Sequence, residues 1–150
     1  MEFVDDVGSI LDVKGQQVWT VGPDELVLDA IRVMADKDVG ALVVVDGDGE
    51  IVGIISERDY TRKVVLRGRS SRQTTVREIM ATRVITVEPS NTVEAALRIM
   101  TRHRVRHLPV LRGGELVGLV SIGDLVERVI SEQRAALVQL ESYIVGRYPG

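Results

Sequence analysis

The chain has 150 residues, 45% of them hydrophobic, no cysteine and a formal net charge of −3. The absence of cysteine excludes disulfides, thiolate metal sites and cysteine nucleophiles. The N-terminus is acidic and no apolar run reaches the ~18 residues of a membrane span, so neither a secretory signal nor a membrane helix is predicted and a cytoplasmic protein is expected.

The charge is unevenly distributed along the chain. Residues 1–57 carry 13 acidic and 3 basic side chains, whereas residues 58–112 carry 13 basic and 4 acidic ones. A cationic middle suits a phosphate-bearing ligand, although arginines on solvated helix faces would give the same pattern. The pI of about 5.4 and the 3% of aromatic residues disfavour a nucleic-acid partner, and no DNA- or RNA-binding signature is present.

The predicted elements begin with a short helix and a strand. Helical spacing of apolar residues predicts the helix, and its positions are Val4, Val7, Ile10 and Leu11. A β-branched run at residues 18–21 predicts the strand, which Pro23 ends. A second helix with one buried face follows, and its apolar positions are Val27, Ala30, Ile31 and Met34.

A hairpin and another helix complete this first pattern. Residues 42–45 and 51–55 are predicted to be buried strands, and the glycines between them favour a tight turn. A helix is expected to begin near Asp59, and residues 68–75 form a polar link. The order is therefore β-α-β-β-α.

The same order then returns. Residues 84–125 match residues 18–60 at about 17 of 42 aligned positions, with a spacing of about 65 residues. The second copy predicts strands at residues 84–87, 108–111 and 116–120, and a helix that begins near Asp124. Its first helix has the apolar positions Val93, Ala96, Leu97 and Met100.

A long C-terminal helix is predicted over residues 124–146. Its apolar residues lie roughly along one stripe, formed by Leu125, Val129, Leu137, Leu140 and Ile144. The stripe fits packing on the core of the chain or on a second subunit, and packing within the chain is the preferred interpretation.

Both copies end in the phrase Gly-h-h-Ser-x-x-Asp, where h is apolar, at residues 53–59 and 118–124. Ser-x-x-Asp is close to a capping box, which would account for the pattern at about 1 kcal/mol for each helix. The serine hydroxyl and the free N–H groups of a helix start can also meet a phosphate, and the carboxylate can accept hydrogen bonds from both ribose hydroxyls. The two roles are compatible.

The repeated β-α-β-β-α unit resembles the cystathionine-β-synthase (CBS) domain, and two in tandem resemble the CBS pair, or Bateman module. The resemblance covers roughly residues 7–130 and rests on the two Gly-h-h-Ser-x-x-Asp phrases, on residues 39–45 and 105–110, and on the lead-in VREIM. It implies an α/β (α+β) fold of two pseudo-symmetric repeats. The expected boundaries are repeat 1 at 7–66, a linker at 67–79, repeat 2 at 80–130 and a C-terminal helical extension at 131–150.

The resemblance also implies a function. In this family the pair leaves two clefts, which commonly take AMP, ADP, ATP, NAD or S-adenosylmethionine, and the usual role is to sense energy or cofactor status. The chain is similar to stand-alone bacterial members associated with AMP or NAD. We therefore expect a regulatory adenine-nucleotide sensor that needs no cofactor, forms a homodimer through its helices and signals to an unknown protein, without nucleic acid or membrane.

The resemblance assigns ligand-binding residues from both repeats to each cleft. The first cleft is expected to contain Ile54, Ser56, Arg58, Asp59, Arg77, Val84, Ile85, Val105, Arg106 and His107. The second is expected to contain Val18, Trp19, Val39, Gly40, Ala41, Leu119, Ser121, Gly123 and Asp124, with Lys14 near its rim.

The two clefts are not expected to be equivalent. Arginine binds phosphate through a planar fork, and Gly123 stands where Arg58 aligns, just as Gly40-Ala41 stand where Arg106-His107 align. The first cleft is therefore expected to bind the phosphates. The second is expected to hold an adenosine-like end, to hold the other part of a dinucleotide, or to be empty.

Three ring side chains have alternative interpretations. Trp19 could stack on adenine, at about 1–3 kcal/mol per base, or be a plain core indole. His107 is either a phosphate neighbour or a packed, uncharged histidine, and His103 is expected to be a solvated helix-end residue. The cluster around the two histidines is too positive for an attractive metal site, so no metal is predicted.

Other function classes have weaker support. No catalytic residue is predicted, because the sequence shows no Walker loop, no nucleophilic triad and no carboxylate cluster. The remaining alternatives are a structural or interaction module with unoccupied clefts and an S-adenosylmethionine sensor.

Overall fold

Each repeat folds into a small sheet flanked by helices. The structure, a computed structural model, describes residues 5–15 and 17–144. The chain divides into two compact units: Gln17–Thr86, called the first-repeat unit, and Met1–Gln16 with Val87–Gly150, called the second-repeat unit. The predicted mixed α+β fold with two repeats is confirmed.

The secondary structure follows the predicted order in the first repeat, and in the second repeat apart from its first strand. In chain order the elements are α1 (Val7–Lys14), β1 (Thr20–Val21), α2 (Val27–Lys37), β2 (Ala41–Val45), β3 (Ile51–Ser56), α3 (Glu57–Tyr60), a π-helical turn (Thr61–Val65), α4 (Val76–Ile79), α5 (Val93–His103), β4 (His107–Arg112), β5 (Glu115–Ser121) and α6 (Ile122–Ile144). In the first-repeat unit β1 runs parallel to β2, which pairs antiparallel with β3. In the second-repeat unit β4 and β5 form an antiparallel pair.

The helical faces predicted from apolar spacing are buried. In α2 they are Val27, Ala30 and Met34, and in α5 Val93, Ala96 and Met100. In the first-repeat unit this face packs on apolar side chains of β2 and β3. Burial of a large apolar side chain stabilises a fold by roughly 1.5–3 kcal/mol, so these faces hold each helix against its sheet.

The strand predicted at residues 84–87 is wrong as a regular strand, and Pro109 explains why. Only Val87 forms a bridge, to Val110: its N–H donates to Pro109 O at 3.0 Å and its carbonyl accepts from Leu111 N at 2.8 Å. The next rung of a parallel ladder would need an N–H at position 109, which proline lacks. In the first repeat the aligned residue is Val43, and its N–H does donate to Trp19 O at 3.4 Å.

The lead-in helices α1 and α4 align with each other, and each packs in the unit built on the other repeat. The sequence VGSIL at residues 7–11 corresponds to VREIM at residues 76–80. The first lies in the second-repeat unit and the second in the first-repeat unit. An antiparallel bridge between Ile54 and Ala81 follows α4 in its unit.

The glycine of each Gly-h-h-Ser-x-x-Asp phrase makes room for the lead-in segment. A Cβ added to Gly118 would lie 2.6 Å from Leu11 Cδ2, and one added to Gly53 would lie 2.6 Å from Met80 Sδ and 2.9 Å from Ala81 O. Real Cβ contacts are longer, so both positions require glycine for close packing of the chain.

A polar cluster fixes α1 on α6 within the second-repeat unit. The Arg128 guanidinium pairs with the Asp5 carboxylate and donates to Ser9 Oγ at 3.0 Å and Ser9 O at 3.2 Å. The hydrogen bond from Arg128 lowers the pKa of Asp5 below 3.8 against the opposing effect of burial, and Ser9 adds to the lowering. The pairing therefore stabilises the charged form of Asp5.

The preferred interpretation of the C-terminal helix is wrong over its second half. Leu125 is fully buried and Val129 is half-buried, but Leu137 and Leu140 remain 63% and 54% exposed in the chain. The side chain of Ile144, like residue Val4 of the first predicted helix, lies outside the described residues. None of the described helices is long and apolar enough to cross a membrane.

The chain passes from helix α5 to strand β4 between His103 and His107. His103 is the last residue of α5 and is half-buried, and Arg104 follows with a left-handed φ of 55°. His107 begins β4, opposite Ser121. The two histidines therefore do not share a helical turn.

Candidate functional site

The Ser-x-x-Asp segments form reciprocal caps at the starts of α3 and α6. In the first repeat Asp59 N donates to Ser56 Oγ at 3.2 Å, and Asp59 Oδ2 accepts from Ser56 N and Ser56 Oγ, each at 3.0 Å. In the second, Asp124 N donates to Ser121 Oγ at 3.1 Å and Asp124 Oδ2 accepts from Ser121 N at 2.8 Å. The capping interpretation is confirmed in both copies.

These caps also place a carboxylate beside the positive end of a helix. A carboxylate has about four lone-pair positions, and each cap uses only some of them. In both copies the predicted ribose acceptor is thus held in one orientation with accepting capacity left over. We call Ser56, Arg58, Asp59 and Lys63 the first-repeat half-site, and Lys14, Ser121, Gly123 and Asp124 the second-repeat half-site.

The cation at the first-repeat half-site comes from the same helical segment. Lys63 Nζ lies 3.1 Å from Asp59 Oδ1, four residues away, and also donates to Ile79 O at 2.9 Å. Lys63 belongs to the π-helical turn, a feature often found at functional sites. Lys63 is not among the predicted site residues, although its spacing of four residues from Asp59 is a usable signal.

The cation at the second-repeat half-site comes from the opposite end of the chain. Lys14 Nζ donates to Asp124 Oδ2 at 2.6 Å and to Leu119 O at 2.8 Å. Burial raises the pKa of Asp124, but the bonds from Lys14 and Ser121 N outweigh it, so that the pKa of Asp124 falls below 3.8. Arg128, which aligns with Lys63, is turned toward Asp5 instead.

The half-sites differ at the position before the aspartate. Arg58 is exposed, and no carboxylate among the described residues lies within ion-pair distance of it. Gly123 takes its place in the second repeat, and a Cβ there would meet only Ser121 Oγ, at the ordinary distance of 3.6 Å. The first-repeat half-site therefore presents one more cation, while the second has room for a side chain.

Arg77 is engaged with a carboxylate in the first-repeat unit. Its Nε and Nη2 donate to Asp24 Oδ1 at 3.2 and 3.1 Å, and both side chains are largely exposed. An exposed ion pair contributes only about 0–1 kcal/mol, so a phosphate could displace Asp24 at low cost. The predicted contact of Arg77 with phosphate stays a prediction.

Trp19 lies beside a cation and on the core. Its ring is partly buried against the core of the first-repeat unit, and Lys37 Nζ stands 4.4 Å from the ring centroid. The packing of the ring against the core agrees with the interpretation of Trp19 as a core indole. The stacking of this ring on adenine stays a prediction. Val18, Val84 and Ile85 are half-buried, and Val18 immediately precedes the indole.

The segments entering β2 and β4 are held in the same way in both units. Glu57 N donates to Gly40 O at 3.0 Å, and Ile122 N donates to Arg106 O at 2.8 Å. These bonds hold the predicted site positions at the strand starts next to each helix start: Val39, Gly40 and Ala41 in the first-repeat unit, and Val105, Arg106 and His107 in the second.

A shallow pocket lies at this point of the first-repeat unit. It has a volume of about 240 Å³ and is lined by Ile31, Met34, Ala35, Asp38, Val39, Gly40 and Glu57. Its two carboxylates make it unsuitable for phosphate. Among the residues the structure describes, no group of three or more His, Asp or Glu side chains is arranged to hold a metal ion.

The two units divide the predicted binding residues between them. The first-repeat unit holds Val18, Trp19, Val39, Gly40, Ala41, Ile54, Ser56, Arg58, Asp59, Arg77, Val84 and Ile85. The second-repeat unit holds Lys14, Val105, Arg106, His107, Leu119, Ser121, Gly123 and Asp124. The structure brings together Ser56 with Asp59, and Lys14 with Leu119, Ser121 and Asp124; the two complete clefts stay predictions.

Comparison with known proteins matches both repeats to one domain family. The family model for the CBS domain matches residues 10–66 and 76–131. The chain is 44% identical over 138 residues to CBS domain-containing protein CBSX3, mitochondrial, of Arabidopsis thaliana, covering 89% of this chain and 66% of that protein. It is 33% identical over 129 residues to CBS domain-containing protein YhcV of Bacillus subtilis (strain 168), covering 86% and 91%.

Solved structures give the same result. A protein with CBS domains from Burkholderia ambifaria MC40-6 matches with a TM-score of 0.81 and 53% identity, over 85% of this chain and 96% of that one. The CBS domain protein NE2398 matches with a TM-score of 0.78 and 44% identity, over 84% and 98%. A hexameric CBS-CP12 protein from bloom-forming cyanobacteria matches with a TM-score of 0.75 and 30% identity, over 84% and 72%.

Proposed function

Because the chain belongs to the CBS-domain family, whose tandem members are generally regulatory and signal-transduction modules, we propose that it is a non-catalytic sensor of adenine nucleotides. The observation that carries the proposal is the reciprocal cap at both helix starts, which fixes Asp59 and Asp124 in one orientation with accepting capacity left over. AMP, ADP, ATP and NAD are the ligands we expect.

The ribose is the part of the ligand that both half-sites are suited to bind. Its two adjacent hydroxyls donate to one carboxylate, and a hydrogen bond to a charged group contributes about 1.5–3 kcal/mol. The serine of each cap holds the carboxylate in place before the ligand arrives, so little side-chain entropy is lost on binding. Each half-site therefore recognises a diol.

The phosphates are expected at the first-repeat half-site. Arg58 is exposed and without a carboxylate partner among the described residues, and Lys63 adds a second cation next to Asp59. Arg77 can join them by exchanging Asp24 for phosphate, because its present ion pair is exposed. The second-repeat half-site offers only Lys14, so we expect it to accept a nucleoside-like group.

The signal is proposed to pass through a homodimer to a downstream protein. Ile122, Val126 and Ile130 lie four residues apart on α6 and are 40%, 43% and 45% exposed in the chain. Such a row supports a helix-to-helix contact with a second copy. Ligand binding would act by stabilising one arrangement of the dimer over another.

A Val126→Glu variant tests the dimer. A buried, unpaired charge is costly, so the variant is expected to sediment as a monomer at concentrations where the parent protein sediments as a dimer. Glu132→Gln, an exposed charge change on the same helix, is the control. A parent protein that is already monomeric would contradict the homodimer.

A thermal-shift screen tests the proposed ligand class. A ligand present at ~100 times its dissociation constant stabilises the folded protein by about 2.7 kcal/mol, which raises Tm by several degrees. We expect a shift with AMP, ADP, ATP, NAD or NADH, and a smaller one with ribose 5-phosphate at the same concentration, because that compound keeps the diol and the phosphate but lacks the base. A shift with S-adenosylmethionine alone would favour that sensor instead, and no shift with any ligand would favour a structural module.

A further inference from the structure

Lys14 exists at the second-repeat half-site because α1 is longer than α4. The two lead-in helices align from Val7 with Val76 to Leu11 with Met80, but α4 ends at Ile79 whereas α1 continues to Lys14. The additional turn brings the Lys14 ammonium to the start of α6. No counterpart of this turn is present in the first repeat.

Lys14 also replaces a backbone contact that the first repeat makes. Leu119 aligns with Ile54, and the Ile54 carbonyl accepts from Ala81 N at 2.9 Å. In the second repeat the Leu119 carbonyl accepts instead from Lys14 Nζ at 2.8 Å. The ammonium is thus anchored on a backbone carbonyl while its remaining protons reach Asp124.

The pairing takes up one of the two carboxylate oxygens to which the hydroxyls of a diol would donate. Lys14 Nζ and Ser121 N both donate to Asp124 Oδ2, the oxygen that the cap holds. In the first repeat, Asp59 Oδ2 accepts hydrogen bonds only from Ser56 among the described residues, and Lys63 pairs with the other oxygen, Oδ1. The carboxylate of the second-repeat half-site is therefore engaged by a distant part of the chain.

We propose that Lys14 is a built-in competitor for the ligand's hydroxyls at Asp124, which weakens the binding of uncharged diols to the second-repeat half-site. The inference rests on the proposed function, since it needs a ligand that donates hydroxyls to this aspartate. Competition is reversible because the pair is partly exposed, at 39% for Lys14 and 22% for Asp124, and such pairs are weak. Lys14 thereby lowers the affinity of this half-site for a nucleoside-like group.

Adenosine is the probe that isolates the effect, because it carries the diol without a phosphate. The measurement is calorimetric titration of adenosine into an Asp59→Asn background, in which a neutral amide replaces the charged first-repeat acceptor. Adding Lys14→Met is expected to tighten adenosine binding roughly two- to fivefold, the range that corresponds to the loss of one exposed ion pair. Arg134→Met, which removes an exposed charge elsewhere on α6, is the matched control and is expected to leave the affinity unchanged.

A second measurement shows that the competing contact exists without ligand. The pKa of the Asp124 carboxyl, followed by NMR in the free protein, is expected to rise on Lys14→Met and to stay unchanged on Arg134→Met. This readout also establishes that the Lys14→Met protein is folded.

The outcomes separate the inference from the proposed function. Equal or weaker adenosine binding by the Lys14→Met protein, where that binding is lost on Asp124→Asn, would overturn the competitor role and leave the sensor function intact. Absence of adenosine and AMP binding in every variant would overturn the proposed function, and the competitor role with it.

Discussion

The starts of α3 and α6 are built from the same four-residue phrase but are neutralised by different parts of the chain. Asp59 takes its cation from Lys63, one helical turn away, whereas Asp124 takes its cation from Lys14, at the end of α1. The caps are alike because both helices need their first N–H groups satisfied. The cations differ in origin, although each lysine also donates to a backbone carbonyl, Lys63 to Ile79 O and Lys14 to Leu119 O. The repeats therefore agree where packing requires it and diverge at the half-sites.

The largest expected effect is a loss of stability when a Cβ is added where the lead-in segments pack on Gly53 and Gly118. Gly53→Ala is expected to destabilise the protein by about 2–3 kcal/mol and Gly118→Ala by about 1–2 kcal/mol, within the range for overpacked cores. Gly53→Ala is expected to be the more destabilising because one close neighbour of the added Cβ is the Ala81 backbone carbonyl, whereas the three nearest atoms at Gly118 all belong to the flexible Leu11 side chain. Urea unfolding measures both.

The control for these glycines is Gly47→Ala, in the hairpin turn, where nothing lies within 4 Å of an added Cβ. Its change in unfolding free energy is expected to be below about 1 kcal/mol. A Gly53→Ala protein as stable as the Gly47→Ala protein would show that the lead-in segments do not pack as described.

Exchanging the residues at the position before the aspartate tests whether this position makes the two half-sites differ in phosphate binding. Gly123→Arg is expected to strengthen AMP relative to adenosine at the second-repeat half-site by about tenfold, because a guanidinium would reach the phosphate through charged hydrogen bonds. Arg58→Gly is expected to weaken AMP relative to adenosine at the first-repeat half-site by a similar factor. Calorimetry with both ligands measures the ratio, and no change in either variant would contradict the phosphate role of this position.

Acid sensitivity provides a smaller test of the Lys14 contact. Because the pKa of Asp124 is lowered in the folded protein, its contribution to stability is present above the unfolded value of about 3.9 and is lost as the pH falls through the lower folded value. Lys14→Met removes much of that lowering. The difference in stability between parent and variant, under about 1 kcal/mol at pH 7, is therefore expected to shrink from pH 6 to pH 3 in urea unfolding.

Asp5 and Glu78 also have lowered pKa values, but they titrate alike in both proteins, so the difference isolates the Lys14 contact. A constant difference between parent and variant across this pH range would show that Lys14 does not stabilise the charged form of Asp124.

The smallest expected effect concerns the interrupted strand of the second repeat. Pro109→Val supplies the N–H that the parallel ladder lacks, and its amide is expected to exchange with solvent more slowly than an exposed amide. The change in stability is expected to lie within about 1 kcal/mol, because the new hydrogen bond is offset by the greater freedom of the unfolded chain. Rapid exchange at position 109 would mean that something other than proline ends this strand.

Local sequence patterns predicted most of the fold. The spacing of Val27, Ala30 and Met34 specifies a helix face, and the glycine pairs specify the hairpin turns, because both depend on residues close in sequence. The prediction of a regular strand at 84–87 is wrong because the missing N–H of Pro109 has an effect only through the pairing of the two segments, which the local sequence does not give. The exposed second half of α6 was also missed, because periodicity does not identify what covers a stripe.

The serine–aspartate caps of the candidate site could be predicted from the sequence, but the ion-pair partners of its charged residues were less predictable. Ser56 with Asp59 and Ser121 with Asp124 follow directly from a spacing of three residues. The partner of Asp124 lies 110 residues away in the chain, so no local pattern specifies it, even though Lys14 was placed near the rim. The engagement of Arg77 with Asp24 also depends on tertiary structure.

Calorimetric titration of AMP into Asp59→Asn and Asp124→Asn proteins tests most directly the claim that the two half-sites are unequal. We expect Asp59→Asn to weaken AMP binding by at least about tenfold, because hydrogen bonds to a charged acceptor are lost, and Asp124→Asn to weaken it much less. Equal losses in the two proteins, or no loss in the Asp59→Asn protein, would contradict that claim.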